Sequence, residues 1–176
     1  KTSFQFGQFI GLLLGEGNAR AHDNSTGLIF TNSDHENIEL FRKVSDDLFG
    51  LHFSERMKGI TATCDLPSVE LYRFLQTNTP ELLNYSRQRT IPAIIQKSDL
   101  VTIKGFIQAF IEGEGHVQAV RSNGKKQSTI EVSSASERLL IELSHLLLRF
   151  GIVSTTQKTR KMATNGRRIK RDYWRM

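Results

Sequence analysis

The sequence predicts an α+β fold in which one structural unit is used twice, and three observations predict it. Residues 9–17 read Phe-Ile-Gly-Leu-Leu-Leu-Gly-Glu-Gly, and residues 107–115 read Ile-Gln-Ala-Phe-Ile-Glu-Gly-Glu-Gly, so an apolar helical run ends twice in Gly-Glu-Gly. The pattern after each run is the same: strand, strand, helix, strand, strand. Each run also carries a stripe of small residues, Gly7, Gly11 and Gly15 in one and Gly105, Ala109 and Gly113 in the other.

Each element follows from local chemistry. Residues four apart share one helical face, so each stripe leaves a helix flank almost without side chains. Two bare flanks let helix backbones approach closely, as small-xxx-small pairs do. Phe6, Ile10 and Leu13, and Phe106, Phe110 and Ile111, give the remaining faces apolar cover. Asn18 to His22 alternates polar and small residues with the period of a strand, a turn is expected over 23–27, and 28–32 resumes as a strand. In the second half, His116 to Arg121 leads through Ser122-Asn123-Gly124, a hairpin signal, into a strand over 127–133. Ser33-Asp34 and Ser134-Ala135-Ser136 cap helices that run to Phe49 and Phe150 and stop at Gly50 and Gly151. Strand pairs follow, 51–57 with 60–66 and 153–159 with 169–175.

Val69 to Leu75 reads as a short closing helix, and the stretch after it, with Pro80 and Pro92, as a connector. The chain thus divides into repeats over 1–78 and 99–176 with a connector over 79–98. The second repeat has no counterpart of the closing helix, so a natural C-terminus beyond Met176 is expected.

The 176 residues carry a formal net charge of +6, which favours a polyanionic partner. The charge is segregated. Residues 154–176 hold Lys158, Arg160, Lys161, Arg167, Arg168, Lys170, Arg171 and Arg175 against Asp172, whereas Asp34, Glu36, Glu39, Asp46 and Asp47 outweigh Arg42 and Lys43. One basic and one acidic surface is the footprint of a nucleic-acid binder. Cys64 is the single cysteine, which excludes an intrachain disulfide and a cysteine zinc site. No apolar run approaches a membrane span, so no membrane partner is expected. The chain opens at Lys1 rather than Met, compatible with an upstream targeting segment, and the reading of compartment extends only to an intracellular setting.

If the two motif helices run side by side with the same sense, Glu16 and Glu114 emerge together at their C-terminal ends, where the carbonyls already carry partial negative charge. Two ionised carboxylates about 5 Å apart at an effective dielectric near 20 repel by about 3 kcal/mol. A cation or a shared proton relieves that repulsion. Two carboxylates with carbonyls and waters form a hard oxygen site suited to Mg²⁺, which can stabilise phosphoryl charge and activate water.

On these residues the chain resembles the LAGLIDADG family in its single-chain, two-motif form, over nearly its whole length. The resemblance implies a tandem pseudo-twofold αββαββα repeat, with two motif helices packed at the centre and two antiparallel sheets forming a DNA-binding saddle. It also implies that the last acid of each motif, here Glu16 and Glu114, binds catalytic metal. Both are Glu where Asp is commoner, which keeps the ligand and lengthens its reach. Mg²⁺ is the expected ion, with Mn²⁺ able to substitute and Ca²⁺ binding without supporting fast cleavage. The connector is similar to that of intein-type members, where a basic residue precedes Ile-Pro. In Arg89-Thr90-Ile91-Pro92 that place, usually Lys, is held by Arg89, which can offset phosphate charge but cannot serve as a general base. No splicing blocks flank the repeats, so self-splicing is not expected of these residues.

Strand alternation nominates the DNA-facing side chains without family knowledge. Asn18, Arg20 and His22 share one face, and His52, Ser54, Arg56 and Lys58 share another against Leu51, Phe53 and Met57. In the second half His116 and Gln118, with Arg121 and Lys125 near the turn, and then Ser154, Thr156, Lys158 and Arg160 are assigned likewise. Asn, Gln, Arg and Lys are residue types that contact base edges in the major groove. The resulting expectation is a monomeric, site-specific endonuclease with an asymmetric duplex target on the order of 20 base pairs. A non-cleaving binder on the same fold, an RNA-splicing maturase or a DNA-binding regulator, is the alternative. A basic housekeeping RNA-binding domain leaves the paired small-residue stripes unexplained.

Overall fold

The structure, a computed structural model, describes residues 2–22, 25–122, 125–162 and 170–176, with the side chains of 22, 25, 120–122, 125–127, 161–162 and 170–171 outside that description. The first half runs α1 (Phe4–Glu16), β1 (Gly17–His22), β2 (Ser25–Asn32), α2 (His35–Phe49), β3 (Ser54–Lys58), β4 (Thr61–Leu66) and α3 (Val69–Asn78). The connector contributes two single 3₁₀ turns, Pro80–Leu83 and Ser86–Gln88, and the short α4 (Ala93–Gln96). The second half runs α5 (Leu100–Glu114), β5 (Gly115–Ser122), β6 (Lys125–Ser134), α6 (Glu137–Leu148), β7 (Gln157–Met162) and β8 (Lys170–Arg175). Two four-stranded antiparallel sheets result, ordered β1-β2-β4-β3 and β5-β6-β8-β7, so the two halves share one topology.

The helices begin where the sequence supplies a cap. Ser3, Asp34, Ser68, Asp99 and Ser136 each accept a backbone N–H of the first turn. Gly50, with φ of 61°, stops α2 in the left-handed conformation that favours glycine. The glycines after the two glutamates do something else. Gly17 and Gly115 are extended, at φ −85° and −82°, and a Cβ on Gly17 would lie 2.5 Å from the Leu13 carbonyl oxygen. Glycine therefore lets the chain turn from helix directly into strand without the left-handed residue that ends α2.

Helices α1 and α5 pack in the same sense through their bare flanks. A Cβ on Gly7 would overlap the Thr102 carbonyl oxygen, one on Gly11 would sit 2.6 Å from the Phe106 carbonyl oxygen and 3.2 Å from the Ala109 Cβ, and one on Gly105 would overlap the Phe4 carbonyl oxygen. Gly113 departs from the expected interface. Nothing lies within 4 Å of the position of its Cβ. The reason is visible across the pseudo-twofold: Gly15 is covered by the Glu114 side chain, whereas Glu16 is exposed and leaves Gly113 bare.

Behind the sheets the core is continuous. Phe41 of α2 stacks on Phe9, Phe30 and Phe53 at centroid distances of 5.8, 4.4 and 5.6 Å, and Leu139, Leu140, Leu143, Leu146 and Leu147 of α6 fill the second half. The halves differ where α3 closes the first. Leu13 and Leu28 are buried beneath Leu75 and Leu82, but their counterparts Ile111 and Ile130 line an open groove of about 640 Å³ with Leu147, Ile152 and Val153. Among the described residues no helix covers that groove.

Candidate active site and nucleic-acid interface

Parallel packing brings both glutamates to one end of the α1–α5 pair. The Glu114 side chain lies along the flank of Gly15, where a Cβ would sit 3.1 Å from its Cγ and 3.4 Å from Oε1. Burial raises the Glu114 carboxyl above its ordinary range, the Glu16 charge raises it further, and Arg89 opposes both. Partial desolvation likewise raises Glu16, again opposed by Arg89. The Glu114 shift describes a carboxylate that feels a second negative charge incompletely compensated by Arg89, the situation a cation relieves. Among the described residues no three His, Cys, Asp or Glu side chains cluster as a closed metal site. The two carboxylates are a hard-oxygen donor pair of the kind that suits a divalent cation such as Mg²⁺, which is often held by one or two carboxylates with water completing the shell.

Arg89 stands at this site but not as expected. Its Nη1 donates to the carbonyls of Leu14 at 2.7 Å and Gly15 at 2.9 Å, and its Nη2 donates to that of Gly17 at 3.0 Å. The guanidinium is thus spent on the end of α1 rather than presented to a phosphate, because the helix end offers carbonyls with no intrahelical partner. A cavity of about 270 Å³ lies alongside, lined among others by Arg89, Glu114, Ser86, Ser133 and Tyr173. The sequence does not reveal that Ser86 and Tyr173 share a cavity with Glu114, since both arrive from remote segments.

Cross-strand partners share a face, so the register sorts the strand residues. Leu28, Phe30, Ala62, Cys64 and Leu66 are buried and mark the helix side of the first sheet. Asn18 pairs with Ile29, which pairs with Asp65, which pairs with Ser54; Arg56 pairs with Thr63 and Lys58 with Thr61. Asn18, Arg20, Ser54, Arg56 and Lys58 therefore lie together on the open face. Arg20 is held there by a bidentate pair with Asp65, both contacts at 3.0 Å, an acid the sequence does not single out. His52 is displaced from the expected strand: β3 begins at Ser54, and the imidazole Nδ1 lies 3.7 Å from Asp46 of α2. Met57 is on the helix side as expected but 61% exposed, on a strand that is exposed throughout.

In the second sheet His116 and Gln118 pair with Glu131 and Thr129 on the open face, opposite the buried Val132. Lys158 and Arg160 depart from the expectation. Strand β7 begins at Gln157, so residues 153–156 are not strand, and Lys158 pairs with Trp174 while Arg160 pairs with Asp172. Trp174 packs on the core, which takes its partners to the helix side. There Lys158 sits 5.6 Å over the Trp174 ring and 2.9 Å from Asp172, and Arg160 is 3.2 Å from the same carboxylate. Gln157-Lys158-Thr159-Arg160 is polar on both faces and so does not reveal its parity; the apolar Trp174 on the partner strand decides it. The open face instead holds Gln157, Thr159, Tyr173 and Arg175, with Arg175 3.4 Å from Glu131. The side chains of His22, Arg121 and Lys125, and the turn residues Asn123 and Gly124, lie outside the described residues. No helix among the described residues is long and apolar enough to cross a membrane.

Comparison with known proteins bears on this geometry. Residues 102–173 match the family model described as the LAGLIDADG-like domain. The chain is similar in fold to the homing endonuclease I-DmoI, solved in complex with DNA and Mn, with a TM-score of 0.62 at 13% identity over 99% of this chain and 89% of that one. Other I-DmoI structures contain DNA with Ca, or target DNA in the presence of Mg. Two curated relatives are from Methanocaldococcus jannaschii. The DNA-directed RNA polymerase subunit Rpo1C is 27% identical over 91% of this chain and 17% of its own length, and the glutamine–fructose-6-phosphate aminotransferase is 21% identical over 90% and 14%. The chain spans less than a fifth of the length of these relatives. The family match falls on α5 and the sheet that follows it, and the fold repeats that arrangement around α1: residues 102–173 form a LAGLIDADG-like domain, and residues of the first half take the same fold.

Proposed function

We propose that this protein is a site-specific homing endonuclease that binds a long, asymmetric DNA duplex and hydrolyses both strands with a divalent metal. The observation that carries the reading is the pair Glu16 and Glu114 at adjacent, parallel helix ends between two sheets. When bound there, Mg²⁺ or Mn²⁺ would supply charge stabilisation at the scissile phosphate. Glu16 and Glu114 would hold it, and the close α1–α5 packing would keep both carboxylates at the spacing two cuts across one groove require. The open faces would track the duplex, Asn18, Arg20, Ser54, Arg56 and Lys58 on one side and His116, Gln118, Gln157 and Arg175 on the other.

We take residues 1–78 and 99–176 as the two DNA-binding repeats, acting as a monomer with internal pseudo-dimer symmetry, joined by 79–98. The relatives' names describe unrelated reactions, yet each matches about nine-tenths of this chain within a small part of its length. A module independent of its host's chemistry fits that pattern and the intein-like connector. The I-DmoI complexes with Mn, Ca and Mg support divalent metal use on this fold. Incubation with a plasmid library carrying randomised targets tests the reading: double-strand cuts at one sequence, dependent on Mg²⁺, support it. Recovery of a bound sequence with no cutting in Mg²⁺ or Mn²⁺ would identify a non-cleaving binder instead.

A further inference from the structure

Arg89 is fixed at both ends. Its own carbonyl accepts the Ser136 hydroxyl at 2.7 Å, and two residues on, the Ile91 N–H donates to the Glu142 carboxylate at 2.7 Å. Ser136 caps α6 and Glu142 lies within it, so the connector backbone here belongs mechanically to the second half. From that anchorage the guanidinium crosses to the first half and donates to the carbonyls of Leu14, Gly15 and Gly17. Gly15 and Gly17 flank Glu16. Glycine backbones are the least restrained in the chain, and neither residue has a side chain that packing could hold. The planar guanidinium supplies the restraint that the Gly-Glu-Gly sequence lacks, and places a positive charge at the negative end of the α1 dipole.

We infer that Arg89 is a positioning residue that fixes Glu16 by clamping the main chain on either side of it, and so ties the first carboxylate to the second half of the molecule. The clamp is independent of the nuclease reading; only the role of Glu16 rests on that reading. Among the described residues no side chain does the same for the end of α5, where Glu114 is instead packed against Gly15. Lysine cannot replace Arg89, because one ammonium cannot span carbonyls of three residues in one plane.

Hydrogen–deuterium exchange tests the clamp directly. In the parent, amides at the α1–β1 corner, residues 14–20, are expected to exchange more slowly than those at the α5–β5 corner, residues 112–118. In Arg89→Lys and Arg89→Gln the first corner should exchange about tenfold faster while the second is unchanged. Mn²⁺ affinity, measured by calorimetry, should fall in parallel by about tenfold. Equal protection of the two corners in the parent, or equal acceleration of both in the variants, overturns the inference. So does Mn²⁺ binding by Arg89→Lys at parental affinity. A parent that takes up no Mn²⁺ defeats the metal reading of the glutamates, while the exchange measurements still decide the clamp.

Discussion

At Glu114 the carboxylate lies over the flank of Gly15, whereas Glu16 turns outward beside the Arg89-held end of its own helix. The sequence makes these residues equivalents; packing makes them unequal. The Glu114 carboxyl is raised from the ordinary range by burial and by the charge of Glu16, and the Glu16 carboxyl, although solvent reaches it, is raised by partial desolvation. The sign of the linkage follows. A raised folded-state acid stabilises the fold fully below its unfolded pKa, and that stability is lost as pH rises through the folded value. In chelator, the parent should therefore lose thermal stability relative to Glu16→Gln/Glu114→Gln as pH rises from about 4 to 8. Parallel melting curves for the two proteins across that range would contradict the shared-site electrostatics. The glutamates were legible because they recur after matching motifs. The role of Arg89 was not: its partners are main-chain carbonyls more than 70 residues away, which no side-chain pattern records.

The elements divide the same way. Helices and their caps could be read because apolar spacing and capping side chains are local, and the stripe Gly7, Gly11, Gly105 and Ala109 could be read because it has helical period. Gly11→Leu or Ala109→Leu should destabilise the fold by about 1–3 kcal/mol or more, because the Phe106 carbonyl and the facing helix cannot retreat. Thermal melts within a degree of the parent would mean these flanks do not meet. Gly113→Ala, facing open space, should be tolerated and serves as the internal control. Strand parity was legible in β1, where small residues alternate with polar ones, and in β3 through Met57 and the preceding Phe53, but not in β7, where Gln157 to Arg160 is polar on both faces. The correction is testable. Arg56→Ala should weaken duplex binding by about 1–3 kcal/mol, whereas Lys158→Ala, on the Trp174 side, should leave fluorescence-anisotropy titrations within about twofold of the parent. Comparable losses in the two variants would return Lys158 to the binding face.

For the whole molecule, the proposed function makes the basic excess and the open faces of the two sheets one surface for a DNA duplex. If about six to ten phosphates are contacted, affinity should fall roughly 10³- to 10⁵-fold between about 50 and 200 mM salt. A nearly flat response is incompatible with groove tracking by both sheets. The central claim, however, is chemical and concerns the two helix ends. The most direct measurement is cleavage of the target recovered from a randomised library, in Mg²⁺, by the parent, Glu16→Gln and Glu114→Gln. Gln keeps the size of Glu and removes its charge, so each variant should stay folded, bind the target at least as tightly, and lose double-strand cleavage by about a hundredfold or more. Cutting at the parental rate by both variants would show that the paired glutamates are not the catalytic site.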